Sequence, residues 1–130
     1  MRSLKALSLG ALVAVMALTT AAGYAPKTWT SKPFAGVKAN TGTVTAAKDG
    51  DKMVLTLSED FKVPDTPAPH WQIVDSKGNT YLLNRLVIKG DKYNQSITLP
   101  AYIKDVAKVQ IWCAFAEVLL GETTFDSVIK

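Results

Sequence analysis

The chain is expected to be all-β, an antiparallel β-sandwich or partly open β-barrel of about seven to nine short strands. Three observations lead there. Beyond the N-terminal leader no long stretch carries the 3.6-residue apolar period of a helix. Short runs of alternating apolar and polar residues recur along the chain. Glycine, proline and aspartate cluster between those runs, as turns between strands require.

The first residues form a different unit. Arg2 and Lys5 make a basic start, Leu9 to Leu18 an apolar stretch, and Thr20, Ala21, Ala22 and Gly23 a small-residue end. This is the pattern of a cleavable signal peptide covering residues 1–23. It implies a periplasmic or secreted protein with no membrane span once the leader is removed. Residues 24–34 read as a linker or strap, in which Trp29 and Phe34 are suited to pin the chain to the body. Residues 35–130 then make a single domain, a length that supports one modest core.

The strands are assigned in order. Thr41 to Ala47 alternate as a strand, Lys48-Asp49-Gly50-Asp51 is a hairpin turn, and Met53, Leu55 and Leu57 share one face of the returning strand. Asp49 and Asp51 do not continue into an EF-hand loop. Pro64, Pro67 and Pro69 stiffen the next loop. His70 to Val74 is a strand closed by the turn Asp75 to Asn79. Tyr81 to Leu83 and Leu86 to Ile88 are further short apolar runs, Ser96 to Leu99 is a strand, and Ala101 to Val106 is a loop or helical turn. Lys108 to Phe115 is the clearest late strand. It places Val109, Ile111, Cys113 and Phe115 on one face and Lys108, Gln110, Trp112 and Ala114 on the other. Val118 to Leu120 and Thr123 to Phe125 close the chain as a strand or pair.

Charge and cysteine content bound the function. The formal charge is +4, and Arg2 and Lys5 of the leader supply two of those charges. The lysines are dispersed and no dense basic patch interleaves with aromatics, so nucleic acid is not an expected partner. Cys113 is the only cysteine. It is a buried side chain, a reactive thiol, or half of an intermolecular disulfide. Burial on the Val109/Ile111 face would raise its pKa. The absence of CxxC and CxxCH excludes a dithiol cycle within one molecule and covalent haem. Trp112, Trp71 and Tyr81 are candidates to stack on a flat ligand, although core or inter-sheet packing is the commoner use of such aromatics. His70, at the end of the proline loop, is the only histidine. With Cys113 and an acid such as Asp60 it is a conceivable ligand set, and neither cofactor nor metal can be named. There is no GxSxG elbow, no dinucleotide fingerprint and no phosphate-cradling loop.

Several residues carry a resemblance. Gly42-Thr43-Val44 and Asp60-Phe61 come first. Gly90, Asn94 and Gln95 precede an extended run to Pro100, and Trp112-Cys113 is followed by Phe115, Val118 and Gly121. Together, over residues 35–126, they resemble the electron-transfer DM-thirteen domain family, found in Skeletor-type proteins beside DOMON domains and in small bacterial exported proteins. The chain departs from that family at Ala68-Pro69-His70, where glycine–proline–aspartate is usual. The resemblance implies an exported, non-hydrolytic redox or electron-transfer accessory module acting through Cys113. The alternative reading is a non-enzymatic binding or adhesion module with a structural cysteine and an envelope or extracellular protein partner. In that alternative the Pro64–His70 loop and nearby aromatics form the contact surface.

Overall fold

The structure is a computed structural model that describes residues 27–86, 88, 89, 92, 93 and 95–130. The leader, Gly90 and Asn94 lie outside the described residues.

Two antiparallel sheets stack on one core, and neither closes into a barrel. The first has the order β1 (Lys27–Thr30), β2 (Val44–Asp49), β3 (Lys52–Leu57) and β8 (Ser96–Thr98). The second has the order β10 (Val118–Ile129), β9 (Val106–Cys113), β4 (Pro69–Val74) and β5 (Thr80–Arg85). A small ribbon of β6 (Ile88–Lys89) and β7 (Lys92–Tyr93) stands apart from both sheets. The all-β sandwich expected from the period-two pattern is therefore the fold found.

The alternation decides the core. Val44, Ala46, Leu55 and Leu57 face inward from the first sheet, and Trp71, Ile73, Val109, Ile111 and Cys113 from the second. Phe34 and Phe61 meet edge to face at 5.2 Å and close one side. The β2–β3 turn has its positive φ on Gly50, the first of two loop residues, which is the type II′ pattern that suits the twist of a hairpin.

The strap carries more structure than its composition suggests. Lys27–Thr30 pairs with β2 as an edge strand, and the chain then crosses to the other sheet. There Ala35 exchanges backbone hydrogen bonds with Glu122 at 3.0 and 2.9 Å, and Lys38 and Ala39 both donate to the Leu120 carbonyl. These bonds cover the free edge of β10, an edge that would otherwise invite pairing with another chain. Gly121 makes the approach possible, because a Cβ there would lie 1.9 Å from the Ala39 carbonyl oxygen.

One expectation needs correction. The late strand ends at Cys113, and Ala114 to Glu117 form a turn, so Phe115 does not share the buried face and is 77% exposed. The cause is the hydrogen bond from Glu117 N–H to the Cys113 carbonyl at 2.8 Å, with Glu117 in the left-handed region at φ 55°. Of the expected closing strand or pair, the single strand is what forms, interrupted by register shifts at Leu119/Gly121 and Thr124/Ile129.

Candidate functional site

The register of β4 against β9 sorts the candidate residues. Pro69 pairs with Cys113 and Trp71 with Ile111 on the inner face, while His70 pairs with Trp112 and Gln72 with Gln110 on the outer face. Residues directly opposite in an antiparallel pair point to the same side, and neighbours along a strand to opposite sides. His70 and Cys113 are thus on opposite faces, and a Cys–His dyad or a shared metal site does not assemble. Among the described residues no group of three histidine, cysteine or acidic side chains converges to hold a metal ion.

Cys113 is 1% exposed and makes no disulfide. Its thiol lies inside the turn that follows it. The Ala116 N–H donates to Sγ at 3.4 Å, and this is the main reason the thiol is held below its ordinary pKa. Burial acts in the opposite direction, and the N–H groups of Ala68 and Phe115 add to the lowering. The Thr66 hydroxyl also favours the thiolate from its buried position, without a hydrogen bond of ordinary geometry. The expectation of a raised pKa is overturned here: donors aimed at sulfur outweigh the loss of water. The side chain is a hydrogen-bonded thiol closed off from solvent.

Next to it, the proline loop forms an open cleft of about 600 Å³ lined by Val63, Pro64, Asp65, Thr66, Arg85 and Leu86, with Pro69 completing the wall. Arg85 Nη2 donates to the Pro67 carbonyl at 2.6 Å and so ties β5 to the loop. Cys113 does not line this cleft; its strand partner Pro69 and Thr66 do.

The outer face holds the other half of the candidate set. His70 Nδ1 lies 2.8 Å from the Leu83 carbonyl, an acceptor only, so Nδ1 is the donor of that bond. Beside His70 stands the half-buried Trp112, and beside Trp112 stands Leu119 on β10. Below them a ladder crosses three strands: Gln72 Nε2 donates to Gln110 Oε1 at 2.7 Å, and Gln110 Nε2 donates to Glu122 Oε1 at 2.8 Å. Lys108 pairs with Glu122 at 3.7 Å.

The remaining candidates are elsewhere. Trp71 is fully buried in the core, so it cannot share a ligand platform with Trp112. Its indole N–H has no partner among the described residues. Tyr81 donates to Asp75 Oδ2 at 3.0 Å and packs against Tyr102, with ring centres 5.8 Å apart, at the β4–β5 turn. Asp60 accepts a 2.5 Å hydrogen bond from Ser58, whose hydroxyl also receives the Thr43 N–H, so its place is in a turn.

What the sequence reading missed is the apolar end of the β9–β10 hairpin. Phe115 projects from the turn, and Val118 and Leu119 follow at 45% and 39% exposure. The strap brings Val37 to the same end through the Lys38 bond to Leu120. The segment Ala-Phe-Ala-Glu contains no glycine, asparagine or proline, so nothing in it announced a turn. In comparisons with known proteins, no family model, no curated protein and no solved structure matches the chain.

Proposed function

We propose that this chain is an exported, non-enzymatic binding module that engages a protein partner at the Cys113 end of the sandwich. The observation that carries the reading is the exposure of Phe115, 77%, on a short hydrogen-bonded turn beside Val118, Leu119 and Trp112. An aromatic displayed on a rigid turn has little conformational freedom to lose on binding, and aromatic anchors of this kind dominate interface energies. The proline-loop cleft lies on the same end, next to the residue that pairs with Cys113. Cys113 in this reading is structural: it terminates β9 and holds the turn that presents Phe115.

The test is a photo-crosslinking side chain placed at position 115 and, as a control, at Lys77 in the far β4–β5 turn, in the exporting cell. A discrete adduct at 115 that is missing at 77 supports the reading. Equal labelling at both positions, or none at 115, overturns it.

A second reading, a redox module of the DM-thirteen kind, draws support from the N–H donors that favour the Cys113 thiolate. It requires that the folded protein react with a thiol reagent at a rate well above that of its global unfolding, or carry visible absorption from a cofactor. Complete protection together with a colourless protein would end this reading and leave the binding module standing.

A further inference from the structure

We infer that the outer edge of β5 is a self-association site, at which a second copy of this chain adds its own β5 antiparallel about a two-fold axis at Tyr81. The four sheet edges differ in how they are protected. The strap covers β10. β1 is four residues long and begins on Lys27, and β8 has three residues. Short strands and edge lysines keep a sheet from pairing with another chain. β5 uses neither device. It runs for six residues without lysine, proline or glycine, and its one charge is on its last residue, Arg85. Among the described residues no strand pairs with its outer side. Leu82 on this strand is 51% exposed, and Tyr102, 62% exposed, packs against Tyr81.

The turn sets the hydrogen-bond phase of the strand. Asp75 N–H donates to the Asn79 carbonyl at 3.0 Å, which makes Asp75 and Asn79 a bonded pair. Bonded and non-bonded pairs alternate along an antiparallel ladder. Tyr81, opposite Ile73, is therefore bonded to β4. Thr80, opposite Val74, and Leu82, opposite Gln72, turn their N–H and C=O groups away from it. Past Leu82 the register slips, and the Leu83 carbonyl accepts from His70 Nδ1. The regular outward-facing stretch is residues 80–82.

That stretch is complementary to itself, which selects a second copy as the occupant. With the axis at Tyr81, Thr80 of each copy faces Leu82 of the other, and both pairs exchange N–H···O=C bonds. The two Tyr81 residues form the non-bonded pair between them, the kind with the closer side chains, and each ring is backed by Tyr102. The contact is isologous and closes at a dimer. No charged residue falls within the overlap. Lys77 and Arg85 of opposite copies approach each other beyond its ends, so added salt strengthens the contact. Three paired residues bury less than the roughly 1,200 Å² of a stable interface, so the dimer is weak, with a Kd of about 0.1–1 mM.

The test is sedimentation and amide exchange of the intact protein from about 20 µM to about 2 mM. The mean mass is expected to rise toward that of a dimer. The Thr80 and Leu82 amides should gain protection with concentration, whereas the Tyr81 amide should be protected throughout. Thr80→Pro removes an outward N–H that β4 does not use, and Leu82→Lys puts a charge on the edge; each should leave a folded monomer. The site is independent of the contact at Phe115, so Phe115→Ser should leave the association unchanged. A monomer at the highest concentration would overturn the proposal. So would association that leaves the Thr80 and Leu82 amides unprotected, that survives both edge variants, or that disappears in Phe115→Ser.

Discussion

The two ends of β9 solve the same problem in opposite ways. At Cys113 the core is sealed. The proline loop, the Ala114–Glu117 turn and the strap crossing Gly121 converge there, and the apolar side chains left over are displayed outside, on the turn. At Val106 the core is left open, and the chain between Pro100 and Asp105 walls a cavity with lysines at its rim. The first arrangement leaves apolar side chains on display, and the second leaves a recess ringed by charges of both signs. The difference teaches that neighbouring residues of one strand do not share a function merely by sharing a strand; the segments arriving from elsewhere decide what each end can meet.

Changes that break this contrast can be ranked. The largest effect should come from Trp71→Ala, which empties the packed interior just behind the sealed end. It should cost about 3–5 kcal/mol, read by chemical denaturation, whereas Trp112→Ala on the outer face should cost less than about 1.5 kcal/mol. Similar losses in both would mean that the outer face is as tightly packed as the inner one.

Next is Gly121→Ala. Its Cβ would collide with the Ala39 carbonyl, so the strap must lift from β10 at a cost of about 2–3 kcal/mol. Cys113 should then become accessible to a thiol reagent in the still-folded variant. Continued protection of the thiol would show that the strap plays no part in sealing that end.

Acid should act on the open end first. Asp75 is held below its ordinary value of 3.8, chiefly by the Asn79 side chain and also by the N–H groups of Asn79 and Lys77 and the Tyr81 hydroxyl. Asp105 is lowered chiefly by Ser76. A carboxylate with a depressed folded pKa binds fewer protons in the folded state. Its stabilising contribution is therefore complete above 3.8 and is lost as pH falls from there toward the lower folded value. Hydrogen exchange below pH 4 should loosen the Asp75–Tyr81 turn before the Cys113 turn, and Asp75→Asn should shrink the difference. Simultaneous loosening of both ends would contradict it.

The smallest effect on folding should come from Phe115→Ser, within about 0.5 kcal/mol of the parent, because the ring contributes little to the core. Its effect on crosslinking at neighbouring positions should be large.

Much of the architecture was legible. The period-two runs at Met53–Leu57 and Val109–Cys113 located two strands and their inward faces, since alternation follows directly from strand geometry, and His70–Val74 located a third strand. The Asp-Gly turn located a hairpin. The strap was harder to read, because its pairing with β2 and β10 uses backbone groups that every residue carries. The candidate site was less legible still. His70, Trp71, Trp112, Cys113, Tyr81 and Asp60 were grouped by chemical type, and the fold distributes them between the outer face, the core and two separate turns.

By itself the sequence determined the class of fold, the inward direction of Cys113 and the outward direction of Trp112, because those depend only on local alternation. Tertiary structure decided the rest. The sulfur is lowered rather than raised in pKa because backbone N–H groups of a turn and of the proline loop point at it. Phe115 is exposed because a hydrogen bond to the Cys113 carbonyl ends the strand two residues early. The lysines at positions 48, 104 and 130 meet around one cavity because β2, the Pro100–Asp105 segment and the end of β10 converge there. Such groupings depend on which distant segments pack together, a property that no single stretch of residues encodes.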